Sequence, residues 1–133
     1  MWSLTSINEL RRDGMSCERW NILHPNETPR TSFIEQQLQS TQGPVIAATD
    51  YMKAFPDMLR PYIDRPYVSL GTDGYGRSDT RKKLREFFEV DCNYICVTAL
   101  KLMADEAMVD TSVVLTAIER YGIDPERPDP MSL

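Results

Sequence analysis

Two carboxylates, Asp73 and Asp79, bracket a glycine-rich run, Gly71-Thr72-Asp73-Gly74-Tyr75-Gly76-Arg77-Ser78-Asp79. Carboxylates sharing a loop can divide acid and base roles, but turn and capping geometry accounts for both without any reaction. The glycines let the backbone take positive φ or approach another surface closely. Their spacing is neither the G-x-G-x-x-G of dinucleotide folds nor a phosphate loop closing on Gly-Lys-Ser/Thr, so a tight connecting turn stands beside any functional reading. His24 is the sole histidine and precedes Pro25, with no second ligand or nucleophile in view. A loop hydrogen-bonding role is its plainer use. Cys92 and Cys96 can share a helix face, but a metal site needs about two more ligands and only Cys17 and His24 are available. Burial as small apolar side chains is the preferred reading for the cysteines. A Gly-x-Ser-x-Gly nucleophile elbow is absent.

The elements that position these residues are legible in the hydrophobic pattern. Trp2-Ser3-Leu4-Thr5 reads as a short first strand, and Ser6-Ile7-Asn8-Glu9 as a capping box opening a helix that Gly14 stops near Asp13. A second helical piece carries Cys17 and Trp20, and the loop His24–Arg30 follows, because its prolines disfavour the α region before them. Phe33, Ile34 and Leu38 make the next helix, ending before Gly43-Pro44. Val45-Ile46-Ala47-Ala48 reads as a fully buried strand. Asp50 then caps a helix with the stripe Met52, Phe55, Leu59 and Ile63, in which Pro56 forces a start near Phe55 or a bend. Tyr67-Val68-Ser69-Leu70 is the third strand and delivers the chain into the glycine run, after which Ser78 caps a helix lined by Leu84, Phe87 and Phe88. Two helices complete the pattern, one carrying Cys96, Ala99, Leu100 and Met103, the other, capped by Asp110, carrying Val114, Ala117, Ile118 and Tyr121. The alternation predicts an α/β fold, three layers with a mainly parallel sheet of about three strands and helices on both faces. Residues 1–122 form the domain and the proline-rich residues 123–133 a surface tail.

Composition narrows the function classes. The chain has 133 residues, a formal charge of −5, 41% hydrophobic and 26% charged residues, which fits one globular domain. The negative balance argues against nucleic acid, since the basic cluster Arg77, Arg81, Lys82, Lys83 and Arg85 is diluted by Asp79, Glu86 and Glu89. No apolar run reaches the ~20 residues of a bilayer span, so no membrane partner is expected. Three cysteines, an odd number, fit a reducing compartment, and the cytoplasm is the expected location.

Longer strings carry a resemblance that composition and spacing do not supply. Trp2-Ser3-Leu4-Thr5-Ser6, Glu9-Leu10-Arg11-Arg12-Asp13, Glu18-Arg19-Trp20-Asn21, Leu23-His24-Pro25 and Pro29-Arg30 resemble the final domain of the homodimeric pyruvate dehydrogenase decarboxylases. So do Ala48-Thr49-Asp50-Tyr51-Met52-Lys53, Leu70–Asp79 and Phe88-Glu89-Val90-Asp91. The resemblance implies a transketolase-like C-terminal domain without its first strand and helix. The whole family enzyme uses thiamine diphosphate and magnesium, decarboxylates pyruvate, and passes the acetyl unit to a lipoyl group of the dihydrolipoyl acetyltransferase.

By the same resemblance, the groups that hold the cofactor lie in earlier domains of a homodimer, so no catalytic, cofactor-binding or metal residue is expected here and the chain alone is inactive. Asp73, Gly74, Tyr75, Gly76, Arg77 and Ser78, with His24, are the candidates for a surface facing the remaining domains or the second copy. Ser16, Pro56 and Tyr75 depart from the family pattern at positions without a chemical role. The alternative is an independent small α/β binding module that kept the fold and carries no chemistry.

Overall fold

In the computed structural model, which describes residues 1–133, the apolar run Val45–Ala48 (β1) pairs in parallel with Tyr67–Leu70 (β2), Val45 opposite Tyr67 and Ala48 opposite Leu70. Parallel strands cannot be joined by a hairpin, and residues 49–66 form the crossover. Helices α1 (Ile7–Leu23) and α2 (Phe33–Leu38) precede the sheet, and α3 (Ala54–Asp57) lies within the crossover, followed by a 3-10 turn at Arg60–Tyr62. Helices α4 (Arg81–Phe87), α5 (Cys92–Asp105) and α6 (Thr111–Tyr121) follow, with a last 3-10 turn at Pro130–Ser132.

The alternation of side chains along a strand assigns the layers. Val45 and Ala47 of β1 and Tyr67 of β2 join a core of Ile34, Leu59, Tyr62 and Ile63, to which α1 adds Ile7 and Leu10 and α2 adds Leu38. The opposite side of the strands carries Ile46, Val68 and Leu70, and α5 packs against β1 while α6 packs on α5. The architecture is therefore α/β, helices with a small parallel sheet, as expected, but the sheet has two strands. Trp2–Thr5 is exposed and unpaired, because its alternation has no ladder to join, and Trp2 is 57% exposed. β1 is half-buried rather than fully buried, and Ala48 is exposed, since a two-stranded sheet offers less cover than a wide one.

Three local expectations change for identifiable reasons. Gly14 does not stop a helix. It sits mid-way along α1 and is buried, and a Cβ there would lie 2.5 Å from the Tyr62 ring, so glycine is required by packing. Ser6 caps α1 by accepting from the Glu9 N–H, but the Glu9 carboxylate pairs with Arg12 and does not close the box. The complete capping box is at Ser32 and Glu35 on α2, reinforced by the Asp13 carboxylate, which accepts from the Phe33 N–H at 2.6 Å. Pro56 falls in the first turn of α3, where the missing N–H costs nothing, and Pro61 sits in the 3-10 turn that follows; Met52 precedes the helix and is exposed, while Leu59 and Ile63 are buried.

A polar ring fastens α3 to β2. The Tyr67 hydroxyl donates to the Pro56 carbonyl at 2.7 Å, Ser69 donates to Asp57 at 2.7 Å, and Arg60 bridges Asp57 at 2.7 Å and the Tyr67 carbonyl at 2.8 Å. Burial acts to raise the Asp57 pKa, but the Ser69 and Arg60 hydrogen bonds outweigh it and hold the carboxyl below the usual carboxylate value.

Three helices end in the same backbone turn. An N–H just past each helix reaches back five residues to a carbonyl of the last turn, Val90 to Arg85 at 2.9 Å, Met108 to Met103 at 2.8 Å and Ile123 to Ile118 at 3.1 Å. The residue before each donor is left-handed, with φ of 60° at Glu89, 55° at Ala107 and 63° at Gly122. Only Gly122 suits that conformation by residue type.

Candidate functional site: the glycine-loop cleft

Gly71 leaves β2 at the carboxyl end of the sheet, where α/β folds place ligand-binding loops. It is buried, and a Cβ would lie 2.5 Å from the Tyr51 carbonyl oxygen, so the two connections that leave the strand ends pack backbone against backbone. The Thr72 N–H donates to the same Tyr51 carbonyl at 2.9 Å, and the Thr72 hydroxyl to the Asp50 carbonyl at 3.1 Å. Asp73 accepts from the Lys53 N–H at 3.1 Å, just before α3. Asp73 thus performs, from across the loop, the capping task expected of Asp50.

Asp50 has another role. Its carboxylate accepts two bonds from Arg85, at 3.0 and 2.8 Å, and approaches Arg81 at 3.5 Å. The Arg85 hydrogen bond is the main reason that the Asp50 carboxyl titrates below its ordinary value, and Arg85 is itself pushed up by the pairing. Arg77 stacks over Phe87, 4.0 Å from the ring centroid. Together these residues line an open cleft of about 470 Å³ whose walls are Asp50, Thr72, the loop from Gly74 to Arg77, Asp79, Arg81, Leu84, Arg85 and Phe88. Tyr75 stands 82% exposed on the loop.

Thr80, not Ser78, caps α4: its hydroxyl accepts from the Lys83 N–H at 3.4 Å, while Asp79 accepts from the Thr80 N–H at 2.7 Å. The end of the chain packs beside the loop and α4. Arg127 donates to the Glu86 and Phe87 carbonyls at 3.4 and 3.2 Å, and its guanidinium lies 5.3 Å from the Phe87 ring centroid. Gly74, at φ of 109°, comes so near that a Cβ would lie 3.1 Å from the buried Pro130's carbonyl oxygen.

Of the sequence candidates, Gly74, Tyr75, Gly76 and Arg77 share the cleft; Asp73 anchors the loop, and Ser78 is exposed beside it. His24 lies elsewhere: its Nδ1 is 2.8 Å from the Trp20 carbonyl, and its ring stacks on Trp20 at 4.4 Å, with Arg30 4.1 Å from the same indole. The three cysteines are free, and Tyr121 donates to Cys96 at 3.4 Å. Asp50 is the cleft residue that sequence reasoning did not place, and Arg81 and Arg85, named with Arg77 as a basic cluster, were read as diluted by neighbouring acids rather than as a cleft wall. Arg81 and Arg85 were visible as neighbours on one helix face, but Asp50 was not, since nothing local marks its approach across thirty-odd residues.

Residues 1–91 match the family described as the Transketolase-like TK C-terminal domain. The chain belongs to that family. It is also similar along its whole length to the "Pyruvate dehydrogenase E1 component" of Cupriavidus necator, 52% identical over 133 residues, which are 100% of this chain and 15% of that protein. The protein of the same name from Pseudomonas aeruginosa is 51% identical over 98% of this chain and 15% of its own length. That from Escherichia coli K12 is 47% identical over 98% of this chain and 14% of its own. The match falls in the carboxyl-terminal part of these proteins. The chain thus spans about 15% of the length of the curated relatives it matches. No helix is long and apolar enough to cross a membrane.

Proposed function

We propose that this chain is the carboxyl-terminal portion of a pyruvate dehydrogenase E1 component and serves it as scaffold rather than as reaction centre. The observation that carries this reading is identity of 47–52% sustained over essentially all of the chain. In the whole enzyme, thiamine diphosphate and magnesium sit in other domains, pyruvate is decarboxylated there, and the acetyl unit passes to the lipoyl group of the acetyltransferase. The cofactor supplies the electron sink when bound; this chain supplies rigid contacts to the domains that hold it and to the second copy in a homodimer. The Asp73–Ser78 segment, with exposed Tyr75 at its tip, is the surface turned to the rest of the enzyme, and His24 with Trp20 forms a second contact. The three free thiols agree with a cytoplasmic setting. Residues 1–122 act as the domain and 123–133 as its tail.

Calorimetric titration of thiamine diphosphate and magnesium onto the chain tests this. The expected outcome is no heat of binding and no pyruvate turnover. Micromolar cofactor binding, or turnover without added subunits, overturns it.

A further inference from the structure

Three guanidinium groups, of Arg77, Arg81 and Arg85, face two carboxylates, Asp50 and Asp79, around the glycine-loop cleft. Asp50 orients Arg85 through two hydrogen bonds, and Arg77 rests over the Phe87 ring, 4.0 Å from its centroid, so both cations have a protein partner before any ligand arrives. Arg81 is only loosely engaged: its sole carboxylate contact is 3.5 Å long, and its side chain is 77% exposed. The backbone adds donors. From Asp73 to Asp79 no main-chain N–H donates to a protein acceptor, although Gly74, Tyr75, Gly76 and Arg77 all line the cleft. Asp79 spends an oxygen on the Thr80 N–H. Donor-rich backbone beside guanidinium groups is the chemistry that binds oxyanions, and about 470 Å³ is room for a small ligand.

We propose that the glycine-loop cleft binds a small free oxyanion, a phosphate or carboxylate group on a soluble ligand, with Arg77, Arg81 and the Gly74–Arg77 backbone as its donors. This goes beyond the scaffold role and rests on it for the comparison with the longer protein: the exposed Tyr75 side chain at the loop tip serves the interdomain contact, while the cleft behind it, lined by residues of this chain, stays open to a soluble ligand.

Inorganic phosphate is the probe, titrated in chloride buffer at constant ionic strength and followed by amide NMR on the chain and by calorimetry on the full-length protein that carries it. The expected result is saturable, millimolar binding with shifts confined to residues 73–85. Arg81→Ala and Arg77→Ala should each weaken it by about tenfold, the scale of one charge-assisted hydrogen bond. Arg81→Lys, which keeps the charge but loses the fork, should recover part of that loss. Lys101→Ala, remote from the cleft, should change nothing. Shifts that do not saturate, that spread over all basic residues, or that survive the double variant Arg77→Ala/Arg81→Ala overturn the proposal. Binding to the chain that vanishes in the full-length protein also overturns it, since the cleft is then filled by the protein's own side chains. None of these outcomes bears on whether thiamine diphosphate binds, so the scaffold reading stands or falls separately.

Discussion

Gly14 and Ala107 show how differently two small residues are constrained. At Gly14 the missing Cβ makes room for the buried Tyr62 ring, whose hydroxyl in turn reaches Glu18 at 3.3 Å. Gly14→Ala should therefore destabilise by about 2 kcal/mol, the scale of overpacking, despite alanine's better helix propensity, and a urea melt followed by circular dichroism reads this directly. Ala107 presents the reverse case. It occupies the left-handed end of α5 with φ of 55°, so Ala107→Gly should stabilise by roughly 1 kcal/mol in the same melt, a sign opposite to that expected for glycine elsewhere in a helix. Glu89 holds the equivalent place after α4, and burial raises its carboxyl pKa, against the lowering pull of Arg127. A carboxyl raised on folding lowers stability above its folded pKa, and acidification relieves the penalty. Glu89→Gln should then gain most over the parent protein near neutral pH, and the gain should shrink as pH falls, measurable as the difference in thermal midpoints.

At the scale of elements, the ring joining α3 to β2 sets the acid response in the other direction. Asp57 is lowered on folding, so its contribution is fully present above the unfolded value near ~4 and is lost as pH falls through the lower folded value. Asp57→Asn should flatten the acid limb of the stability profile below about pH 4, where the parent curve falls steeply. Tyr67→Phe should cost about 1–2 kcal/mol, because the Pro56 carbonyl loses its buried donor while the ring's packing is kept. The elements themselves were largely legible. Asp110 and the stripe Val114, Ala117, Ile118 and Tyr121 define α6 because cap and periodicity agree. Legibility failed where the deciding partner is distant in the chain. Gly14 looks like a stop signal until Tyr62 is beside it, and Trp2–Thr5 looks like a strand until the ladder is counted. Asp50 looks like a helix cap until Arg85 arrives from the far side of β2. The glycine loop and the arginine cluster were each found from local composition, but that Asp50 and the arginines close with the loop into one cleft was not.

For the molecule as a whole, large apolar side chains remain on the surface, including Ile22 at 76%, Leu115 at 63% and Trp2 at 57% exposure. Exposed apolar faces of this size are interaction surfaces, and under the proposed scaffold role they are where further domains or a second copy would pack. Sedimentation equilibrium of the isolated chain should accordingly show concentration-dependent association, and a strictly monomeric species at high micromolar concentration would contradict that reading. The parallel pairing of β1 with β2 carries one more consequence. Neither strand meets the other until the intervening segment, with its three prolines and its 3-10 turn, has already doubled back. Strand pairing must then come late on the folding route. Loosening residues 49–66 should slow refolding in stopped-flow experiments more than it speeds unfolding, so that this segment governs how fast the protein assembles rather than how long it lasts.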